Sequence, residues 1–306
     1  MPIPVFISLA GLILLVLLAM FTCAAWVAHK ITKVERVSVT GHPSHWGLPW
    51  EDVTFPSRGD GVPLSGWYLP TTADDRCIIL VQGTLHHRNS PEIRALRLGR
   101  DLVEHSFSVL LFDFRARGES EGTRSSEGDR EQWDVLGAID YVTGRGIPVE
   151  RIGLLGFSLG AGVALLVAAQ EPRIPAVVSD SGFLDYMMDL QRLYIGRFRL
   201  PSWFAICVAF AGRIFFKADF SKVRPAEVVE QIDQPIFFIH GEDDPVISAE
   251  ETVELHSISD NPEDRIWIMP RAEHVNVYRK MPEVYVDRVS RFFQRHMPES
   301  EAKTAS

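Results

Sequence analysis

Five residues constrain this chain more than any others: Gly156-Phe157-Ser158-Leu159-Gly160. They follow an apolar run, Arg151-Ile152-Gly153-Leu154-Leu155, that reads as a buried strand. They precede Ala161 to Ala169, which reads as a buried helix. A serine between the two, with a glycine two positions away on either side, belongs on a sharp strand-to-helix turn. Such a turn strains the serine backbone and lifts its hydroxyl clear of the sheet. The flanking positions need glycine because a Cβ there would meet the neighbouring strand or helix. The plainer alternative is a glycine-rich start to a helix, with no chemistry attached.

The rest of the chain alternates strand and helix in the same manner. A hairpin is expected from Glu51–Phe55 and Leu64–Leu69. A strand at Cys77–Val81, a helix near 91–105, a strand at 107–113 and a helix near 130–143 follow. Beyond Ser158 come strands at Ala176–Ser179, Pro235–Ile239 and Arg265–Met269, then a last helix from Pro282 to Met297. In that helix Val286, Val289 and Phe293 share one face. This alternation predicts an α/β fold, a mostly parallel central sheet covered by helices on both sides. Beyond an apolar N-terminus about 270 residues remain, enough for one domain with a sizeable core.

A serine hydroxyl is a weak nucleophile at neutral pH and needs a base, which in turn needs an orienting carboxylate. The chain supplies both in order. The strand at 235–239 runs into His240-Gly241-Glu242-Asp243-Asp244-Pro245-Val246-Ile247, and the strand at 265–269 runs into Pro270-Arg271-Ala272-Glu273-His274. With the order serine, acid, histidine, the sequence resembles the α/β-hydrolase superfamily over roughly residues 50 to 297. The His-Gly-x-x-Asp-x-x-Val pattern matches at His240, Gly241, Asp244 and Val246-Ile247, which makes Asp244 the acid and leaves Asp243 one residue early. The resemblance implies Ser158 as nucleophile, His274 as base and Asp244 as its orienting acid. Asp244 before Pro245 also suits an ordinary turn, and His274 an ordinary surface loop. The oxyanion hole is expected from the backbone amides of Leu159 and Thr84, the latter in Gln82-Gly83-Thr84 after the strand at 77–81. Relatives usually carry histidine where this chain has Gln82. A fourth match, Phe112-Asp113-Phe114-Arg115-Ala116-Arg117-Gly118-Glu119-Ser120, resembles a structural loop of the superfamily, with Ala116 where glycine is usual.

Residues 1 to 28 carry no charged side chain, and Ile3 to Trp26 is almost wholly apolar. As a helix this stretch reaches about 36 Å, against a bilayer core of about 30 Å. A secretory signal peptide would have a basic start and a shorter apolar region, so an uncleaved single-pass anchor is expected. Lys30, Lys33 and Arg36 follow the span, and the positive-inside tendency puts the C-terminal domain in the cytoplasm. The expected organisation is an anchor at 1–29, a linker at 30–49, a hydrolase domain at 50–297 and a disordered tail at 298–306. An insertion at about 183–233, with an apolar stretch from Leu200 to Gly212 and Arg197, Arg199 and Arg213 around it, is expected to form a cap. The cap could line an acyl pocket, touch the membrane surface, or simply pack on the domain.

A net charge of −9 with no basic stripe argues against a nucleic-acid partner. Three cysteines give no disulfide framework; Cys23 and Cys77 read as buried apolar residues. No metal spacing is present, and His86-His87 reads as a loop pair without a metal. No cofactor is expected. The leading expectation is a serine hydrolase cleaving a lipophilic carboxylic ester without metal or cofactor. Amide, peptide or thioester cleavage on the same triad, and a non-catalytic membrane scaffold, remain open. A peptidase is expected to carry a site for a peptide terminus in the cap, where Glu227 and Glu230 are present but are not placed by the sequence.

Overall fold

The computed structural model describes residues 3–71, 76–84, 87–196 and 199–298. His86, Arg197 and the tail from Glu299 lie outside the described residues. In chain order the elements begin with α1 (Ile3–Thr32), β1 (Glu51–Pro56), β2 (Pro63–Leu69), β3 (Cys77–Val81), α2 (Ala95–Glu104) and β4 (Ser108–Phe112). Next come α3 (Glu131–Gly144), β5 (Ile152–Phe157), α4 (Leu159–Ala168) and β6 (Val177–Asp180). Then follow α5 (Tyr186–Asp189), α6 (Phe204–Ala211), α7 (Pro225–Val228), β7 (Ile236–Gly241), α8 (Ala249–Ile258), β8 (Arg265–Met269), α9 (Val277–Lys280) and α10 (Pro282–His296).

The eight strands form one sheet in the order β1-β2-β4-β3-β5-β6-β7-β8. Strand β2 runs antiparallel to β1 and to β4, and every other neighbouring pair is parallel. The sheet separates two apolar cores, and β3 shows how. Cys77, Ile79 and Val81 face the core shared with α3 and α4, while Ile78 and Leu80 face the core shared with α2 and α10. Side chains alternate across a strand, so a strand covered on both faces must be apolar throughout, as β3 is. Val286, Val289 and Phe293 of α10 are buried in the second core. The mostly parallel sheet covered by helices is the architecture expected from the alternation, and it is the α/β-hydrolase fold that the motif resemblance implied. Because β3 and β5 to β8 are parallel, the loops after β3, β5, β7 and β8 all open at one edge of the sheet, the usual position of a site in such folds.

Helix α1 is long and apolar enough to cross a membrane, with an 18-residue stretch of mean hydropathy 2.5 inside Leu9–Thr32. Its last turns do not stand free. Ala24, Val27, Ala28 and Ile31, an i, i+3, i+4, i+7 stripe, are buried in the first core. Cys77 is buried, which pushes its thiol well above the usual range. Cys23, expected from the sequence to be buried, is exposed on α1, one residue before the stripe begins at Ala24. The stretch after α1 is laid along the domain: Arg36 donates to the Gly122 carbonyl at 2.8 Å, and the Arg100 guanidinium lies over the Trp46 ring. Between β6 and β7 the chain is largely helical, with α5, π-helical turns Leu190–Ile195, α6, further π-helical turns Gly212–Phe216, and α7.

Candidate active site

Ser158 sits between β5 and α4 with φ 53° and ψ −120°, in the region that most side chains avoid. Its amide donates to the Asp180 carbonyl of β6 at 2.9 Å, which pins the turn to the sheet. The glycines on either side are enforced by backbone. A Cβ on Gly160 would strike the Val81 and Gln82 carbonyl oxygens, and one on Gly156 would strike the Gly160 carbonyl. Asp244 follows β7 and His274 follows β8, so the topology carries both to the same sheet edge.

There the side chains meet. His274 Nε2 lies 2.9 Å from Ser158 Oγ, and His274 Nδ1 lies 2.6 Å from Asp244 Oδ2. Burial raises the Asp244 carboxyl, but hydrogen bonds with His240 and His274 and the Ile247 amide outweigh it and hold the group well below the usual carboxylate range. An ionised Asp244 only accepts, so His274 Nδ1 carries the hydrogen and Nε2 is left to accept from Ser158. Asp243 is exposed, and its amide bonds to the Ala272 carbonyl.

His240 takes a place that the sequence motif marked without a role. It is fully buried, and its Nε2 lies 3.0 Å from Asp244 Oδ2 and 3.1 Å from the Ile247 carbonyl. Both neighbours are acceptors, so Nε2 carries hydrogen, while Nδ1 meets Thr252 Oγ1 at 2.6 Å. Asp244 Oδ1 accepts from the amides of Val246 and Ile247 at 2.8 and 3.0 Å. Both carboxylate oxygens are thereby satisfied.

Gly83 packs against the serine, since a Cβ there would lie 3.4 Å from Ser158 Cβ. Thr84 and Leu159 line the same cavity as Ser158 and His274. The loop before Thr84 is tied by Arg117, whose guanidinium donates to the Gly83 carbonyl at 3.2 Å. Gln82 is buried; its Nε2 donates to the Arg88 carbonyl at 3.4 Å and its Oε1 has no partner. The fourth motif is a tie between loops. Asp113 accepts from Arg88 Nε at 3.0 Å and from the Glu119 amide at 2.9 Å, and Arg115 pairs with Asp134 and Asp60. Ala116 has φ 61°, a left-handed conformation that glycine adopts freely, which accounts for the glycine usual there.

The cavity has a volume of about 250 Å³ and a mixed lining. Its apolar part includes Ile93, Phe157, Leu159, Phe183, Val246 and Ile247. Its polar part, from the approach to α3 and the cap, carries Glu127, Tyr186, Asp189 and Tyr194. The Tyr186 hydroxyl donates to Glu127 at 3.3 Å, and Arg117 pairs with Glu127 at 3.4 Å. Burial raises the Glu127 carboxyl, with Arg117 opposing. Asp189 is pushed up to about 7, first by burial and then by Glu251, against the pull of Arg192. No local sequence pattern marks this polar lining. Glu127 lies in Ser125-Ser126-Glu127-Gly128, a stretch with no periodicity, and Glu127 itself takes φ 53°. Glu227 and Glu230 of the cap are exposed and do not line the cavity; Glu227 pairs with Arg224. Among the described residues no group of three His, Cys, Asp or Glu side chains could hold a metal ion.

Known proteins agree with this architecture. A family profile described as alpha/beta hydrolase fold matches residues 77–211. The uncharacterized protein YfhR of Salmonella typhimurium is 30% identical over 259 residues, covering 80% of this chain and 81% of the relative. The uncharacterized protein YqkD of Bacillus subtilis is 28% identical over 236 residues, covering 76% and 75%. Among solved structures, the esterase Pf2001 of Pyrococcus furiosus is 28% identical, covers 87% of this chain and 100% of its own, and superposes with a TM-score of 0.73. By sheet order, by the serine-bearing turn after β5 and by these relatives, the chain belongs to the α/β-hydrolase superfamily.

Proposed function

We propose that this hydrolase cleaves a carboxylic ester through an acyl-enzyme on Ser158. The observation that carries the reading is the continuous Ser158–His274–Asp244 hydrogen-bonded line, 2.9 and 2.6 Å, opening into a cavity with a partly apolar lining. Ser158 Oγ bonds to the acyl carbon as its proton passes to His274 Nε2. The amides of Leu159 and Thr84 receive the developing oxyanion, and Asp244 stabilises the imidazolium. As the ester C–O bond breaks, His274 returns the proton to the leaving alcohol. Water then adds to the acyl-enzyme, giving its proton to His274 Nε2, and His274 passes that proton to Ser158 Oγ as the acyl–Ser158 bond breaks, releasing the acid and restoring the serine. No step needs a metal or cofactor.

A cavity of about 250 Å³ lies below the usual range of about 300–1,000 Å³ for drug-sized ligands. It suits a short acyl chain against the apolar lining, with a hydroxylated or amine-bearing part toward Glu127 and Asp189. Helix α1 serves as a single-pass anchor, and Lys30, Lys33 and Arg36 after it hold the domain on the cytoplasmic side. The test is hydrolysis of a p-nitrophenyl ester series by the full chain in detergent. Turnover is expected to peak at short acyl lengths and to disappear in Ser158→Ala. Undiminished turnover in Ser158→Ala would refute the reading.

A further inference from the structure

Helix α1 and the cap are one packed unit. Beyond the buried stripe, the Phe21 ring meets Phe210 and Phe215 at centroid distances of 6.4 and 5.6 Å. The end of α1 is locked to the domain by Arg124, which donates to Thr32 Oγ1 at 2.9 Å, and by the Ser125 amide, which donates to the Thr32 carbonyl at 3.0 Å. The cap therefore has a fixed position relative to α1. Its outer face is apolar and bare: Ile206, Phe210, Ile214 and Phe215 are each more than half exposed, with Trp203 beside them. Residues 203, 206, 210 and 214 follow helical spacing, so they form one stripe, continuous with α1 through Phe21.

The lengths match. From Leu9 onward the first α1 side chain buried by the domain is Ala24. The turns from Ile3 to Cys23 rise about 32 Å, close to a hydrocarbon core of about 30 Å. A crossing α1 thus brings Phe21, and with it Phe210 and Phe215, to the membrane boundary. The charge also matches. In a chain of net charge −9, the segment from Leu190 to Lys222 holds six basic residues, Arg192, Arg197, Arg199, Arg213, Lys217 and Lys222, and the single acid Asp219. A segment that combines an apolar stripe bearing tryptophan with an excess of basic residues in its sequence has the composition of an element lying in an anionic bilayer surface.

We infer that the outer face of α6 and the turns after it, Trp203 to Phe215, lies in the headgroup–acyl boundary of the bilayer that α1 crosses. The occupant of this face is an anionic phospholipid bilayer, so the molecule is held by two contacts. Asp189, Leu193 and Tyr194 of the same cap wall the catalytic cavity, so that cavity is held close to the lipid surface. The inference rests on α1 spanning the bilayer and not on chemistry at Ser158.

The test uses the full chain in vesicles of phosphatidylcholine and phosphatidylglycerol, with Cys23→Ala and Cys207→Ala and the buried Cys77 retained. A nitroxide is placed singly at Ile206→Cys, Leu15→Cys or the exposed Glu254→Cys. Its collision rates with oxygen and with a water-soluble nickel complex are compared. The expected result is loss of nickel accessibility at positions 206 and 15 relative to 254. Nickel accessibility at 206 equal to that at 254, with 15 shielded, would overturn the cap docking while leaving the anchor. Accessibility at both 206 and 15 would overturn the docking and the anchor together. Neither result depends on turnover at Ser158.

Discussion

Asp244 is the residue on which the site converges, since it joins His274, His240 and two backbone amides. Asp244→Asn keeps the shape but offers His274 a donor where it needs an acceptor. It should lower kcat about 10⁴-fold; a loss of tenfold or less would remove Asp244 from the line. His240 acts through Asp244 as a positioning residue. His240→Asn removes one donor that holds the carboxyl low, so the acid limb of the pH–rate profile should move to higher pH; an unmoved limb with merely lower yield would mean a packing role. Asp189 makes a prediction with a sign. Its carboxyl is raised to about 7 by burial and then by Glu251, so the folded state holds the proton more tightly than the unfolded chain. That contribution is complete below the unfolded value of about 4 and is lost as pH rises through about 7. Asp189→Asn should therefore gain stability over wild type increasingly from about pH 4 to 7 and level off above. A pH-independent difference in denaturation midpoints would contradict it. Ser158, Asp244 and His274 were legible because each follows a short apolar strand and carries a local motif. Glu127 and Asp189 were not, because long-range packing delivers them to the cavity and no local pattern marks them.

Among the elements, the turn after β5 is the part that the sequence specified most tightly, since Gly156 and Gly160 face backbone atoms that cannot move aside. Gly160→Ala should cost about 3 kcal/mol or more, read as a drop in the denaturant midpoint; a fold of unchanged stability would mean that the turn is looser than its carbonyl contacts imply. The strands were legible for a related reason. Strands β3, β4, β5 and β7, covered on both faces, are largely apolar runs bounded by turns. The docking of α1 onto α6 was hidden. Both helices are apolar all round, so no periodic face announces that Ala24, Val27, Ala28 and Ile31 meet protein while Leu12 and Leu15 do not. For the same reason Cys23 was misread as buried. The burial of α1 also ties the segment read as a linker to the domain, through Arg36 on the Gly122 carbonyl and Asn89 on the Thr40 carbonyl.

The whole molecule reads as a hydrolase domain seated on an apolar helix, with its reactive edge walled by the cap that also packs on that helix. A cytoplasmic domain is expected from Lys30, Lys33 and Arg36. A phosphatase reporter fused after Ser306, active only when exported, should stay silent, and export-dependent activity would reverse the orientation. Relatives at 28–30% identity support the scaffold and the hydrolase class, and the fold by itself does not choose a substrate. The central claim is that Ser158 is an activated nucleophile. The most direct measurement is mass spectrometry of the full chain after treatment with a fluorophosphonate. The account predicts one adduct on the peptide carrying Gly156 to Gly160, absent in Ser158→Ala and strongly diminished in His274→Ala. A folded protein that takes up no adduct, or takes it up at another residue, would contradict it.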